Sequence, residues 1–408
     1  MLKVSSHEVI PRAAKVPSTS EPQRHNQLQV NVSSAGQFHA FDLARQLFMH
    51  GLLNRLFTGY PKRLVSGIPF DKIQSYQLSY APYASLRMLG LDGIADRLSS
   101  GVNDVYDQRV ADRLDRCDIF HFISSFGLRS SRTARKKYGS YIVCDRGSSH
   151  IAFQDRILRE EYAEWGFNFG GISRAAMERE LAEYDECDAL LVPSSFAFET
   201  FIKNGTPREK IHRLPYGVDL SFFKRTAKED DIFRVLYVGQ MSLRKGLPYL
   251  LEAIAPLDLR KFEVWLVGPA HREARPFLKR YRGRFRYFGV VPRRELPWYY
   301  SQASVFVIAS IEEGLALVQA QAMACGVPII ATAHTGGADI LTHGTQGYIV
   351  PIRDPEAIRA KILFLYDHPE VRERMAAAAL THATELGTWD EYGRRIVDFY
   401  QIQRRWKA

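Results

Sequence analysis

Three residues in the second half of the chain have the types and spacing to hold a phosphate ester and a set of hydroxyls. Lys245 follows an apolar run (Phe233–Val238), Gly239 and a short loop, and it precedes Gly246 and a helix-forming stretch. Glu313 stands in a turn just past a second apolar run, Val305–Ala309, and Gln321 lies eight residues further on. Helix formers continue to Cys325, Gly326 sits where a left-handed C-cap is wanted, and Pro328 blocks continuation. A helix starting after Glu313 points free N–H groups and a partial positive charge at that turn, which makes a phosphate site. The carboxylate beside it accepts hydrogen bonds from hydroxyls, while the amides and the Lys245 ammonium take the phosphate charge. That is the chemistry of binding a sugar nucleotide. The Lys245 segment is not a P-loop, because Arg244 replaces the second glycine and no Ser or Thr follows.

The elements that must position these residues are strands and helices in alternation. Apolar β-branched runs over 28–33, 119–123, 141–144 and 189–193 alternate with helical patterns. The charged stretch Lys228-Glu229-Asp230-Asp231 interrupts, and the alternation resumes at Phe233–Val238, Phe262–Val267, Phe285–Phe288, Val305–Ala309, Ile329–Ala331 and Tyr348–Val350. The pattern predicts an α/β protein of two Rossmann-like parallel-sheet domains facing across a cleft. Their expected limits are 27–226 and 227–388. A polar, Pro-containing segment, 1–26, is expected to be disordered. The tail, 389–408, carries an amphipathic basic helix from Tyr392 to Trp406.

At 408 residues the chain is long enough for two domain cores. It has no apolar run of 18 residues, and its four cysteines lack metal or redox spacing, as expected of a cytoplasmic protein. The net charge of +10 asks for an acidic partner. Basic clusters occur at Arg132, Arg135, Lys136 and Lys137, from Arg272 to Arg286, at Arg293-Arg294 and in the tail. Aromatics lie among them, but no RNP-type, KH-like or zinc-finger pattern accompanies them, so nucleic acid is not the expected partner. The chain has no Asp-x-Asp pair and no zinc-like histidine set, so no metal site is expected.

These motifs resemble those of glycosyltransferase family 4, the retaining GT-B enzymes of the group 1 glycosyl transferases. The family signature is a Glu, seven residues and a second Glu; here the second position is Gln321, which can still accept but carries no charge. Leu191–Ser195 followed by Ile211–Asp219 is similar to the family's inter-domain passage, with Tyr216 where Asn is usual. Tyr237–Gly246 is similar to its phosphate strand and loop, with Gln240 where Arg is frequent. The likeness is close from Leu190 to Glu385 and looser over Gln27 to Asp188.

The resemblance implies a role for each matched position. Lys245 is expected at the donor diphosphate with Gly239 and Arg244 beside it, and Glu313 at the donor-sugar hydroxyls. The amides of Gly314, Leu315, Ala316 and Leu317 flank them, and Gln321 faces the ribose. The Gly289-Val290-Val291 turn resembles the base pocket, placing Val290 at the nucleobase. Gly36, in the loop Ser33 to His39, lets backbone approach the donor phosphate. Arg146 or His150 takes the place of the family histidine after the strand ending at Cys144, and His121 matches another. Glu312 suits a solvated turn. The last helix is expected to cross back onto the first domain.

Transfer of a sugar from a nucleoside-diphosphate sugar with retention is the implied reaction, with no cofactor and with cations replacing a metal. Acceptors in this family are often lipid-linked or polysaccharide intermediates, and the basic clusters of the first domain suit an anionic membrane surface on the inner face. Two alternatives share the fold or the site: a non-hydrolysing nucleotide-sugar epimerase, and a non-catalytic nucleotide-sugar-binding protein.

Overall fold

The structure is a computed structural model, and it describes residues 28–77, 83, 85–86 and 92–407. The segment 1–26 expected to be disordered lies outside the described residues. Seven parallel strands form the first sheet: β1 (Val30–Ser34), β2 (Leu53–Thr58), β3 (Ile73–Ser75), β4 (Ile119–Ile123), β5 (Tyr141–Asp145), β6 (Ala189–Val192) and β7 (Ile211–Arg213). Their spatial order is 3-2-1-4-5-6-7. The second sheet has six: β8 (Phe233–Val238), β9 (Phe262–Val267), β10 (Arg286–Gly289), β11 (Val305–Ile308), β12 (Ile329–Thr332) and β13 (Gly347–Val350), in the order 10-9-8-11-12-13. All pairings in both sheets are parallel. Strands buried along their whole length, such as β6, β8 and β11, explain the near-continuous apolar runs, because helices cover both faces.

Strand order reverses between β1 and β4 in the first sheet and between β8 and β11 in the second. At such switch points the loops leaving the strand ends part and leave a crevice, where open α/β sheets bind ligands. The loop after β8 carries Lys245 and the loop after β11 carries Glu313, so the second switch point gathers both. The loop after β1 carries Gly36 at the first.

Two linkers cross between the domains side by side. Val218 N–H donates to the Gly387 carbonyl at 3.2 Å, and a Cβ on Gly217 would lie 2.4 Å from the Trp389 nitrogen. The final helix, Trp389–Lys407, then packs back onto the first domain, burying Tyr392, Ile396 and Tyr400 at four-residue spacing in its core. In the opposite direction the helix Ile151–Glu164 places Ile157 and Leu158 in the core of the second domain. The domains therefore share packing as well as linkers.

Lys245 is aimed by the glycine that follows it. Gly246 has φ +65° and caps the helix Leu247–Ile254, and a Cβ there would lie 1.8 Å from the Ala309 carbonyl at the end of β11. Gly139, which ends the helix Leu128–Tyr138, has the same φ with open space around it. Gly139→Ala should thus cost only the left-handed Cβ, about 1–2 kcal/mol. Gly246→Ala should cost on the order of 3 kcal/mol or more, because a backbone clash is added. Urea denaturation of the two variants checks this; equal losses would mean that the Lys245 loop can move away from β11.

Candidate functional site

The Lys245 ammonium pairs directly with the Glu313 carboxylate across the second switch point. Ser310 Oγ donates to the same carboxylate at 3.1 Å, and Glu313 N–H is fixed by the His334 carbonyl at 3.0 Å. The pair is mostly covered, with 23% of the Lys245 side chain and 10% of the Glu313 side chain accessible. No side chain caps Ala316 at the start of the helix Leu317–Ala324. The Ala316 amide itself is already spent on the Thr335 carbonyl at 3.1 Å, so the anion-facing amides of this turn are fewer than the sequence suggests. Leu315 and Ala316 are buried.

The neighbouring residues of both doublets face the other way. Glu312, expected in a solvated turn, is fully buried, and its carboxylate crosses into the first domain. It accepts from Ser148 Oγ at 2.6 Å, Ser149 Oγ at 2.6 Å, Ser149 N–H at 3.1 Å and Gln154 Nε2 at 2.9 Å. Arg244 Nε lies 2.9 Å from the same carboxylate, and its Nη2 reaches Ser148 Oγ at 3.3 Å. Burial alone would raise this carboxyl, but Arg244 and the four donated hydrogen bonds outweigh it and hold it at about 2. Arg244 thus anchors the domain contact through Glu312.

Further contacts complete the closure. A Cβ on Gly314 would lie 2.0 Å from the Gly147 carbonyl, so glycine is needed for these backbones to meet. Ser194 Oγ donates to the Gly314 carbonyl at 2.6 Å, and Ser195 Oγ donates to Asp339 at 2.6 Å. Glu161 accepts from Arg353 Nε at 2.8 Å and from the Tyr249 hydroxyl at 3.2 Å.

Gln321 accepts from the Tyr300 hydroxyl at 3.0 Å. It lines an inter-domain cavity of about 660 Å³ together with Leu317, Asp219 and Arg293 from one side and Gln37 and Arg45 from the other. Gly36 is buried in the loop after β1, and its carbonyl accepts from Ser34 Oγ at 2.9 Å. Gly239 adopts φ +150° at the end of β8, where its carbonyl would lie 2.0 Å from a Cβ on Gly268. Val290 is 75% exposed, after the Gly289 turn whose carbonyl accepts from Gly268 N–H at 2.7 Å.

Arg146 and His150 do not join Lys245 and Glu313. Arg146 pairs with Glu180 at 2.7 Å and donates to the Ser149 carbonyl and the Gln154 side chain. His150 caps the helix Ile151–Glu164, with Nδ1 accepting from Ala152 N–H at 3.2 Å. Its ring lies between Tyr184 and Phe201, and burial, helped by the Arg146 cation, lowers its pKa to about 4, so it is neutral at pH 7.

A different histidine faces the cleft. Asp145, at the end of β5, is buried and accepts from His39 Nε2 at 2.7 Å and from His121 Nε2 at 3.3 Å. Burial would raise this carboxyl, but the two imidazoles more than offset it and hold it well below the usual carboxylate range. An ionised carboxylate only accepts, so both rings donate through Nε2, and His121 Nδ1 accepts from the Tyr400 hydroxyl at 2.6 Å. The His39 ring lies beside the exposed Gly147 backbone, with the Tyr216 ring packed against it at 4.3 Å. The Asp145 side chain gave no sequence signal as a partner of His39, which is 106 residues away.

The chain is similar to known glycosyltransferases in part of its sequence and in its fold. Residues 232–368 match the family described as glycosyl transferases group 1. An uncharacterized glycosyltransferase of Methanocaldococcus jannaschii is 25% identical over 54% of this chain and 62% of its own length. The O-antigen chain mannosyltransferase B of Escherichia coli is 30% identical over 41% of this chain and 45% of its own. Sucrose-phosphate synthase of Thermosynechococcus elongatus superposes with a TM-score of 0.71 at 19% identity, covering 93% of this chain and 100% of that one. Anabaena HepE, solved in complex with UDP-glucose, superposes at 0.66 with 14% identity, over 92% of this chain and 100% of that one. The fold is GT-B. The family match falls on the second domain, and the curated relatives it resembles are glycosyltransferases. It matches between about half and three-fifths of the length of its first curated relatives.

The Glu312 contact has a pH signature. Its pKa is depressed from 4.5 in the unfolded chain to about 2, so its contribution is complete above pH 4.5 and is lost as pH falls through 2. The shift corresponds to a contribution on the order of 3 kcal/mol at neutral pH. The stability difference between the parent and Glu312→Gln should hold steady above pH 5 and shrink toward pH 2. Guanidinium unfolding across that range measures it, and a pH-independent difference would mean the carboxylate is not ionised in the closed protein.

Proposed function

We propose that this chain is a retaining glycosyltransferase that moves a sugar from a nucleoside-diphosphate sugar to an acceptor hydroxyl without a metal. The observation that carries the reading is the Lys245–Glu313 pair at the second switch point. Each member is the other's placeholder. When a donor enters, its diphosphate replaces Glu313 as the partner of Lys245, and its sugar hydroxyls replace Lys245 as donors to Glu313. As the bond from the anomeric carbon to phosphate oxygen breaks, the charge on the diphosphate rises and the fixed ammonium gains in interaction with it. The acceptor oxygen bonds the anomeric carbon from the same face, and its proton passes to the departing phosphate oxygen. No protein nucleophile is required. Gln321, Leu317 and Arg293 line the cavity suited to the nucleoside end, and Gln37 and Arg45 stand at its first-domain wall.

Relatives named for O-antigen and colanic acid biosynthesis favour a polysaccharide, lipopolysaccharide or glycolipid product. Among the described residues no helix is long and apolar enough to cross a membrane. A cytoplasmic enzyme peripheral to the inner membrane face, taking a carbohydrate or lipid-linked acceptor, fits that reading. The same described residues contain no cluster of three or more His, Cys, Asp or Glu that could hold a metal ion. The cations assigned to the diphosphate are Lys245 and the helix start at Leu317.

Lys245→Ala should lower turnover about ten- to a hundred-fold, the worth of a charge-assisted hydrogen bond in the transition state. The loss should fall on kcat at least as heavily as on donor affinity, with Lys245→Arg recovering part of it. Steady-state kinetics with a transferred donor reads this, and a kcat within twofold of the parent sinks the assignment. Transfer should also persist in excess EDTA; loss on chelation with recovery in Mn²⁺ would overturn the metal-free mechanism. For the nucleoside end, Gln321→Glu should hold or raise donor affinity in a calorimetric titration, since a charged acceptor bonds hydroxyls more strongly. Unchanged affinity in both Gln321→Glu and Gln321→Ala would remove Gln321 from the site.

A further inference from the structure

The cationic charge of the protein is concentrated on one edge of the second sheet. Between His271 and Glu295 the chain carries nine arginines and lysines against two glutamates, a net +7 in a protein whose total is +10. All nine are exposed: Arg272, Arg275, Lys279, Arg280, Arg282, Arg284, Arg286, Arg293 and Arg294. They ride on the helix Arg275–Arg280, on β10 and on the turns beside it, and β10 is the outermost strand. Within 4 Å, acidic groups meet only the last three, at 3.6 Å for Arg286, 3.4 Å for Arg293 and 3.9 Å for Arg294, among the described residues.

The basic cluster of the first domain behaves differently. Arg132 pairs with Glu186, and Arg135 lies 3.0 Å from Asp188, so two of its four cations are neutralised in place. The clusters expected to suit a membrane on the first domain are therefore weaker than the edge of the second.

Guarding an edge strand against pairing needs one or two charges. Only Arg286 of the nine lies within β10, so that role leaves eight unexplained. Single-stranded nucleic acid would need a row of aromatic faces for successive bases to stack on, and Tyr287 alone does not make one. Here Arg280 already covers Tyr281 at 5.3 Å and Arg286 covers Phe288 at 5.5 Å. What remains outward is Tyr287, 47% exposed, and Val290, 75% exposed, set among guanidinium groups. An amphipathic ring and an aliphatic side chain within a cationic field fit the headgroup layer of an anionic bilayer. Arg293 joins this edge to the inter-domain cavity, which it lines.

We propose that the edge from Arg272 to Arg294 is the surface by which this protein docks on an anionic lipid bilayer. Contact there turns the mouth of the inter-domain cavity toward the headgroups, where a lipid-linked acceptor would present its hydroxyl. The proposal deepens the membrane-facing part of the functional reading above, and vesicle binding tests it without passing through sugar transfer.

The full chain should co-sediment with vesicles of phosphatidylglycerol and phosphatidylcholine and not with phosphatidylcholine alone, and binding should fall steeply with salt. Replacing Arg275, Lys279, Arg280 and Arg282 together by glutamate should weaken partitioning more than about tenfold. The Lys136→Glu, Lys137→Glu pair on the first domain should change it less than threefold. Circular dichroism and a melting curve establish that each variant is folded, and a Gln series at the same four positions serves if the Glu series is not. Failure of the parent to bind anionic vesicles overturns the proposal. So does undiminished binding by the quadruple variant, or displacement from vesicles by a stoichiometric polyanion such as single-stranded DNA.

Discussion

Burying the Glu312 carboxylate in the opposite domain is the constraint on which the rest of this structure turns. A charge taken out of water is tolerated only when paired and fully hydrogen-bonded. Ser148, Ser149 and Gln154 from the first domain and Arg244 from the second supply that set, and together they fix how the two sheets meet. Neighbouring residues in a loop point to opposite sides, so fixing Arg244 and Glu312 leaves Lys245 and Glu313 facing the crevice. One residue of each doublet holds the domains and the other pairs at the switch point, where the proposed donor would bind. Separating the domains would therefore disturb the Lys245–Glu313 pair, and any ligand that engaged the pair would act on the same two loops.

The close approach of Gly147 and Gly314 makes the same point with backbone. Closure brings first-domain groups to the second-domain site and excludes water from it, which strengthens every charge interaction inside. Glu161 repeats the device of a buried carboxylate received across the interface, and the half-buried Asp339 accepts from Ser195 across it. Ile157 and Leu158 add apolar packing to it. A pair of domains joined only by linkers would hold neither the Lys245 geometry nor the 660 Å³ cavity in one shape.

On the first domain, the path from Tyr400 through His121 and Asp145 to His39 ties the last helix of the chain to the cleft wall. Each link fixes the next by the donor and acceptor roles available to it, so the orientation of His39 depends on a residue of the final helix. Folding of that helix onto the first domain is thereby coupled to the orientation of the His39 ring. The arginine-rich edge stands apart from this network and involves long-range charge in place of fixed geometry.

Much of this was legible in the sequence. Both sheets were readable because parallel strands covered on two faces are continuous apolar runs, and β8 and β9 begin and end where the apolar letters do. β2 and β7 were not read, since Asn54, Arg55 and His212 break the apolar pattern, and β3 has only three residues. Lys245 and Glu313 were readable because a strand, a turn and a helix start aim them locally. What only the tertiary structure decided is everything that requires two distant segments to meet. The sequence could not tell Glu312 from Glu313, since burial of one and not the other is set by Ser148 and Ser149, more than 160 residues earlier. Nor could it direct Arg146 to Glu180 and not to the crevice, or select His39 over His150 as the ring oriented by Asp145. Local patterns determine where a side chain leaves the backbone; which charge it meets is decided by the fold that desolvates it.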